Sequence, residues 1–376
     1  MGSDKIHHHH HHMIVEKVLI VDPIDGEFTG DVEIEEGKIV KVEKRECIPR
    51  GVLMPGFVDP HIHGVVGADT MNCDFSEMEE FLYSQGVTTF LATTVSTSLE
   101  KMKEILRKAR DYILENPSTS LLGVHLEGPY ISKEKKGAHS EKHIRPPSER
   151  ELSEIDSPAK MLTFAPEIES SELLLRLVKR DIVLSAGHSI ATFEEFMKFY
   201  KEGVKRITHF PNGLKPLHHR EIGITGAGLL LDDVKLELIC DGVHLSREMV
   251  KLVYKVKKAN GIVLVTDSIS AAGLKDGTTT LGDLVVKVKD GVPRLEDGTL
   301  AGSTLFFSQA VKNFRKFTGC SITELAKVSS YNSCVELGLD DRGRIAEGTR
   351  ADLVLLDEDL NVVMTIKEGE VVFRSR

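Results

Sequence analysis

The stretch PGFVDPHIHG (residues 55–64) decides the fold, because it joins an apolar, strand-like run to a polar end with two histidines one residue apart. Similar short apolar runs recur along the chain, and amphipathic helical segments separate them. The candidate strands are 56–60, 87–95, 121–127, 162–166, 182–188, 206–209, 235–241 and 261–267. Strands that alternate with helices form parallel sheets, and eight such units close a (β/α)8 barrel. The sequence therefore predicts a TIM-like α/β barrel.

The segments between the strands indicate helices and one insertion. Residues 98–116 and 170–180 repeat apolar side chains at the helical period, which predicts helices on the outside of the barrel. Residues 278–300 favour a β-hairpin inserted before a helix at 304–317. The stretch GITGAG (223–228) has no preceding strand and no following Lys-Ser/Thr, so we expect a flexible active-site loop there and not a P-loop.

Both ends of the chain differ from the centre. Residues 1–12, MGSDKIHHHHHH, are an expression tag and are left out of the fold prediction. Residues 13–52 and 343–376 alternate apolar and polar side chains between glycine-containing turns, as short antiparallel strands do. We therefore expect a small β-sandwich domain built from both termini, beside a metal-dependent hydrolase barrel at 53–342.

Composition excludes several classes of protein. The chain is 41% hydrophobic and 28% charged, as soluble globular enzymes are, and its formal net charge of −10 disfavours nucleic-acid binding. No stretch is apolar enough to span a bilayer and no signal peptide follows the tag, so we expect a cytoplasmic protein without a membrane partner. Five widely spaced cysteines without a CxxC pair indicate neither a disulfide framework nor a cysteine zinc site.

Metal-binding residue types stand at the carboxyl ends of the predicted strands. These are His61, His63, Glu127, His188, His209 and Asp267. The carboxyl ends of parallel barrel strands meet at one rim, where three protein ligands and a water commonly hold a catalytic divalent metal. An HxH pair alone is also common as a structural element, and an aspartate before a serine also caps turns. Because so many strand ends carry such residues, the sequence favours a metal site that activates water for hydrolysis.

Eight motifs resemble one known family. They are HIHG (61–64), HLEGPY (125–130), GAHS (137–140), AGHS (186–189), THF with Asn212 (208–212), DGVH (241–244), TDS (266–268) and LAGST (300–304). In this order, and over nearly the whole native chain, they resemble the N-acetylglucosamine-6-phosphate deacetylases of the amidohydrolase superfamily. The activity that the resemblance implies is hydrolysis of the N-acetyl group of N-acetylglucosamine 6-phosphate, in amino-sugar catabolism.

The resemblance also implies a set of metal ligands. Glu127, His188 and His209 would hold the principal divalent metal ion, with zinc or iron expected. His61 and His63 permit a second ion, so the resemblance implies one or two per subunit. Many superfamily members have a carboxylated lysine on the fourth strand, whereas LTFAPE (162–167) contains no lysine. In the resembling family the glutamate at the position of Glu127 fills that role.

Roles toward the substrate follow from the resemblance as well. Asp267 would serve as general base and then general acid, and His244 would hydrogen-bond the developing oxyanion. Arg220 would reach the sugar phosphate across the interface of a homodimer. The remaining substrate-binding positions that the resemblance implies are His139, Asn212, Gly213 and Ser303. The stretch PNGLKPLHH (211–219) departs from the family pattern, which leaves the shape of the phosphate pocket open.

Two other readings remain open on the sequence. A metal hydrolase of this kind can also act on a cyclic amide or an aminopurine, as dihydroorotase-like and adenine-deaminase-like relatives do. A noncatalytic scaffold that binds partners is the third reading, and loss of metal-binding residues would be its mark. The absence of the strand-four lysine disfavours a dihydroorotase-like enzyme, and Arg220 with Asn212 favours a phosphorylated substrate.

Overall fold

The computed structural model describes residues 6–9 and 11–376 of the chain, so residues 1–5 and 10 of the predicted tag lie outside the described part. Its centre is a sheet of eight parallel strands that are neighbours in sequence order. The strands are Phe57–Ile62, Val87–Thr94, Leu121–Glu127, Ala159–Phe164, Val183–Ala186, Arg206–Ile207, Lys235–Ile239 and Ile262–Val265. The predicted barrel is thereby confirmed, with each strand within a few residues of its expected place.

The ring closes where the eighth strand returns to the first. The backbone N–H of Asp267 donates to the carbonyl of His61 at 2.8 Å, and the N–H of His63 donates to the carbonyl of Ser268 at 2.9 Å. These bonds join backbone groups at the carboxyl ends of the two strands, so closure itself brings Asp267 beside the two histidines.

Helices surround the barrel. The α-helices are Phe75–Tyr83, Leu99–Glu115, Glu149–Glu154, Phe193–Tyr200, Gly223–Leu230, Arg247–Lys257, Phe307–Thr318, Ile322–Ala326 and Asn332–Glu336. The helix predicted at 98–116 is confirmed as Leu99–Glu115, where the Ser98 side chain caps the N-terminus by accepting from the Lys101 N–H. The segment predicted as a helix at 170–180 forms a 3₁₀ helix, Ser171–Arg180, and a π-helical turn covers Lys327–Tyr331. None of the helices in the described part of the chain has both the length and the hydropathy that a bilayer crossing requires.

The loop predicted for GITGAG (223–228) is wrong, because this stretch begins a buried α-helix, Gly223–Leu230. Three glycines lower helix propensity by about 1 kcal/mol each relative to alanine, which is why the sequence indicates a loop. Here they allow close packing: a Cβ on Gly228 would lie 2.7 Å from the Ile207 side chain and 2.9 Å from that of Leu236. Burial against two barrel strands thus outweighs the local preference.

A glycine within the third strand provides a test of the packing between strands. A Cβ on Gly123 would lie 2.2 Å from the backbone oxygen of Pro158, which precedes the fourth strand. Because this neighbour is backbone, we expect Gly123→Ala to lower the free energy of unfolding by about 1 to 3 kcal/mol in urea denaturation. Gly277→Ala is the matched control, since a Cβ there meets nothing within 4 Å. Equal stability of the two variants would contradict the expected clash.

The chain ends form a second sheet beside the barrel. Its strand order is Glu370–Arg374, Val362–Lys367, Leu353–Leu356, Val52–Pro55, His12–Asp22, Gly26–Glu35 and Lys38–Lys44, and Ile6–His9 of the tag region also pairs with His12–Asp22. All pairs are antiparallel except the one between His12–Asp22 and Val52–Pro55.

This terminal sheet curls around a core of its own. Near its two ends the N–H of Ala351 donates to the Gly37 carbonyl at 2.9 Å, and the N–H of Ile39 donates to the Thr349 carbonyl at 2.8 Å. Residues from both chain ends, such as Met13 and Ile366, therefore share one hydrophobic cluster. The predicted fold class is confirmed, with one continuous sheet as its small β-part. The domain limits at 52 and 343 stay a prediction.

The predicted hairpin insertion contains three strands and not two. Gly277–Leu281, Leu284–Lys289 and Val292–Arg294 form an antiparallel sheet of their own. Leu281 at one end of this sheet, together with Thr299 and Leu300 after it, reaches the wall of the cavity above the barrel. The insertion therefore contributes directly to the candidate site.

Candidate metal centre

Six ligand-type side chains from different strand ends meet at the carboxyl rim of the barrel. His61 lies in the first strand and His63 directly follows it. Glu127 ends the third strand, and His188, His209 and Asp267 follow the fifth, sixth and eighth strands by two residues. All six are buried. The last three have left-handed backbones, with φ of 47°, 29° and 51°. Such conformations are costly for residues other than glycine and concentrate at functional sites.

The first ligand group consists of Glu127, His188 and His209. Oε2 of Glu127 lies 2.8 Å from Nε2 of His188 and 3.0 Å from Nε2 of His209, and the two imidazole nitrogens lie 3.1 Å apart. Their other ring nitrogens face backbone oxygens, since Nδ1 of His188 lies 2.7 Å from the Lys135 carbonyl and Nδ1 of His209 lies 2.9 Å from that of Asn212. A carbonyl only accepts, so both Nδ1 atoms carry the proton and both Nε2 atoms present lone pairs.

The second ligand group uses the other oxygen of the same glutamate. Oε1 of Glu127 lies 3.0 Å from Nε2 of His63 and 3.4 Å from Nε2 of His61. Oδ1 of Asp267 lies 3.0 Å from both nitrogens. Nδ1 of His63 faces the Thr93 carbonyl at 3.1 Å, so its Nε2 also presents a lone pair.

Lone pairs and carboxylate oxygens facing one another are what a cation requires. Nε2 of His61 is buried and, among the described residues, has no hydrogen-bond partner despite its short distance to Asp267. Acceptors this close repel unless a proton or a metal ion lies between them. The donor set therefore fits a divalent cation in each group, and His/carboxylate ligation suits zinc and other first-row metals.

The electrostatics of the centre favour positive charge. Burial lowers the pKa of His63, but the carboxylates of Asp267 and Glu127 raise it, to about 9. Burial raises the pKa of Asp267, yet His61 and His63 hold it well below its usual range. The carboxylates thus stay ionised at neutral pH and attract either protons or a metal ion to the imidazoles.

The centre forms the floor of a cavity of about 260 Å³. His139 and His244 line this cavity, as the sequence leads us to expect of substrate-binding residues. Nδ1 of His139 accepts from the backbone N–H of Ser96 at 2.9 Å, so its Nε2 carries the proton and faces Glu127 Oε1 at 3.5 Å. Burial lowers the pKa of His139 to about 4, which keeps the ring neutral. His139 is therefore a hydrogen-bond donor toward the cavity, unlike the four histidines of the ligand groups.

The ring of His244 is held by a carboxylate. Its Nδ1 lies 2.7 Å from Oδ2 of Asp241, and a carboxylate oxygen only accepts. Nδ1 of His244 therefore donates to Asp241, which fixes the orientation of the ring. The oxyanion role of His244 stays a prediction, and His139 also presents an N–H donor toward the cavity.

The predicted phosphate residues are only partly brought together. Asn212 and Gly213 line the cavity, and Gly213 takes a positive φ of 73°. Arg220 is exposed, lies 2.8 Å from the Nε2 of its neighbour His219 through Nη1, and does not line the cavity of its own chain. The single chain therefore does not place Arg220 at the site.

Ser303 is also not placed in the cavity. Its hydroxyl donates to the Thr266 carbonyl at 2.6 Å and accepts from the N–H of Leu305 at 3.1 Å, and the residue is 1% exposed. Its backbone N–H donates to the carbonyl of Asp267 at 2.8 Å. Ser303 thus supports the strained backbone around Asp267.

The sequence analysis did not identify three buried charged residues beneath the centre. Glu237 accepts from Nδ1 of His61 at 2.8 Å and forms an ion pair with the buried Arg206. Asp59 accepts from the Thr266 hydroxyl at 2.7 Å, and burial raises its pKa to about 7. The sequence feature that could have identified them is a charged residue within an otherwise apolar strand, as in KLELI (235–239).

The chain is similar to proteins of one known family. Residues 52–372 match the profile of the Amidohydrolase family. A N-acetylglucosamine-6-phosphate deacetylase of Bacillus subtilis (strain 168) is 36% identical, over 96% of this chain and 98% of the relative. A N-acetylgalactosamine-6-phosphate deacetylase of Escherichia coli O157:H7 is 34% identical, over 85% and 87%. The solved structure of a mutant N-acetyl-D-glucosamine-6-phosphate deacetylase from Mycobacterium smegmatis, in complex with N-acetyl-D-glucosamine-6-phosphate, superposes with a TM-score of 0.91 at 26% identity, over 96% and 99%.

Proposed function

Because the chain belongs to the amidohydrolase family, we propose that it hydrolyses the N-acetyl group of N-acetylglucosamine 6-phosphate, yielding acetate and glucosamine 6-phosphate. The observation that carries this proposal is the convergence of imidazole lone pairs from His188 and His209 on a shared carboxylate, Glu127, at the floor of the cavity. Curated relatives over nearly the whole chain are named for this reaction. The ligand groups are complete, which disfavours a noncatalytic scaffold.

A divalent cation is the cofactor of the proposed reaction. Glu127, His188 and His209 would hold the principal ion, and His61 with His63 would hold a second, with zinc or iron expected from the ligand types. When bound, such an ion polarises a carbonyl and makes water a stronger nucleophile at neutral pH.

The protein's own residues then move protons and hold the substrate. The carboxylate of Asp267 takes a proton from the attacking water as the new C–O bond forms. It returns that proton to the amine nitrogen as the C–N bond breaks, so acetate and the free amine leave. Nε2–H of His139 would donate to the carbonyl oxygen as it gains negative charge, and His244, oriented by Asp241, would hydrogen-bond the same oxygen.

The phosphate end of the substrate requires a cation that one chain does not place in the cavity. Asn212 and Gly213 lie at the cavity wall, and we assign the missing charge to Arg220 of a second copy in a homodimer. The exposure of Arg220 supports this assignment, because an exposed side chain can reach the cavity of a neighbouring chain. The dimer and the expected cytoplasmic location are part of the proposal.

Arg220→Ala tests the phosphate assignment. A hydrogen bond between charged groups contributes about 1.5 to 3 kcal/mol, so the variant should raise KM for the phosphorylated sugar about 10- to 100-fold. KM for unphosphorylated N-acetylglucosamine should stay near the wild-type value. Lys215→Ala is a control in the same loop. An unchanged preference for the phosphorylated sugar would rule out this role for Arg220.

Acetate release by zinc-loaded wild-type protein tests the proposed function itself. We expect turnover of N-acetylglucosamine 6-phosphate to exceed that of the unphosphorylated sugar, with loss of activity after chelation. N-acetylgalactosamine 6-phosphate is an informative second substrate, since one relative is named for it. Hydrolysis of a cyclic amide or an aminopurine in place of these amides would favour the alternative substrate classes, and no hydrolysis at all would favour a scaffold.

A further inference from the structure

Glu237 lies beneath the metal centre, in the seventh barrel strand, and its side chain is fully buried. One of its oxygens, Oε1, accepts from two donors: Nδ1–H of His61 at 2.8 Å and the backbone N–H of His209 at 2.9 Å. His209 belongs to the first ligand group and His61 to the second. Glu237 therefore hydrogen-bonds to one residue of each group, whereas Glu127 contributes one oxygen to each group.

The other oxygen of Glu237 is fixed by Arg206. Oε2 accepts from Nη1 of Arg206, whose side chain is 1% exposed and also donates through Nε to Glu336 at 3.2 Å. A buried guanidinium that loses its acceptor is left with an uncompensated charge, so this contact is costly to break. Arg206 thus keeps Oε2 occupied and leaves Oε1 to the two donors of the metal centre.

Glu237 is not itself free to bind a metal ion. Its only other near ligand-type neighbour in the described residues is His125, which lies with His61 and Glu237 in one compact group. Both nitrogens of His125 are already used, Nδ1 with the Pro60 carbonyl at 2.9 Å and Nε2 with the Thr163 hydroxyl at 2.7 Å. The contacts of Glu237 are those of a hydrogen-bonding support.

The polarity of these contacts decides what His61 can do. A carboxylate only accepts, so Glu237 places the imidazole proton of His61 on Nδ1 and leaves a lone pair on Nε2. With the proton on Nε2, the ring would donate to Asp267 Oδ1, 3.0 Å away, and the second group would lose a ligand. We propose that Glu237, held by Arg206, is a positioning residue that keeps His61 in the metal-binding tautomer and thereby sets the affinity of the second group for its cation.

This inference rests on the proposed function only in that both need a divalent cation at the centre. Its test is a titration of metal-depleted protein with Zn²⁺ in competition with a chromophoric chelator. In Glu237→Gln, the buried Arg206 requires the amide oxygen, which turns the amide NH₂ toward Nδ1 of His61. We expect the second Zn²⁺ to bind about 10- to 100-fold more weakly and the first Zn²⁺ to lose much less affinity, because Glu237 contacts His209 at its backbone N–H and not at its ring.

Two further variants separate positioning from general stability. The double variant Glu237→Gln with Arg206→Met removes the guanidinium, so the amide oxygen can return to His61 and the affinity for the second Zn²⁺ should recover about tenfold. Glu336→Gln removes the other negative charge beside Arg206 but keeps an amide oxygen that can accept from Nε. It does not touch His61 and should leave both affinities unchanged. Further loss in the double variant, or equal loss in Glu336→Gln, would overturn the inference.

The wild-type protein gives a readout that does not depend on how the variants fold. In zinc-loaded protein labelled with ¹⁵N-histidine, long-range ¹H–¹⁵N spectra should show the ring proton of His61 on Nδ1, assigned by comparison with His61→Asn. An Nε2–H tautomer, or a wild-type protein that binds fewer than two Zn²⁺, would also overturn the inference. Acetate release by the same wild-type sample tests the proposed function separately, so the two can fail independently.

Discussion

Asp267→Asn is expected to lower kcat for N-acetylglucosamine 6-phosphate by about 10² to 10⁴-fold, the usual contribution of a general acid and base. The amide keeps the size of the side chain but can neither take the proton of water nor return it to the amine. Because Glu127, His188 and His209 are unchanged, the principal cation should remain bound. Acetate release and elemental analysis of the same preparation measure both quantities.

Asp352→Asn is the matched control for this variant. Asp352 is a buried aspartate paired with Lys367 at 3.1 Å and belongs to the small β-part. We expect it to lower stability but not kcat. Retained turnover in Asp267→Asn would remove the proton-transfer role from this residue and leave the reaction without its proposed base.

Glu127→Gln is expected to have the larger effect on metal content. Each oxygen of Glu127 faces one ligand group, at 2.8 Å from His188 Nε2 and 3.0 Å from His63 Nε2. The amide has one oxygen to offer and turns an NH₂ toward the other group, so we expect neither cation to bind at stoichiometric level. Loss of the ion removes several kcal/mol of transition-state stabilisation, which corresponds to a decrease in kcat/KM of about 10³-fold or more.

Glu151→Gln serves as the control for Glu127→Gln. Glu151 accepts from Arg145 at 2.7 Å and from Tyr130 at 2.8 Å, and it does not line the cavity. It should keep full metal content and activity. Zinc content and activity near wild type in Glu127→Gln would show that the shared carboxylate is not the ligand that the geometry indicates.

The barrel could be predicted from the sequence because its signal is local. The strands are short runs of mostly apolar and β-branched residues, such as Val87–Thr94, and such runs are typical of strands that are buried on both faces. The helix Gly223–Leu230 could not be predicted in this way, since its glycines disfavour a helix locally and its stability comes from packing on Ile207 and Leu236. The curl of the terminal sheet likewise depends on pairing between distant parts of the chain.

The candidate site was predictable to the extent that its residues end strands. His61, Glu127 and Asp267 could be placed at one rim from topology alone. The hydrogen-bond polarity of these rings could not be predicted, because it depends on which atom faces each ring. The Ser96 N–H, for example, makes His139 a donor at Nε2, and Asp241 orients the ring of His244.

The residues that support the site could not be predicted from the sequence either. Glu237 and Arg206 lie inside the barrel, and only the structure shows that they contact the metal centre and each other. Arg220 remains a proposal, since its expected contact involves a second chain.

A crystal structure of the zinc-loaded protein, with anomalous diffraction recorded on both sides of the zinc edge, tests the central claim most directly. The claim is that Glu127, His188 and His209 hold a divalent cation. We predict an anomalous peak about 2.0 to 2.2 Å from Glu127 Oε2 and from Nε2 of both histidines. An anomalous map without a peak between these three atoms, from protein that releases acetate, would contradict the account.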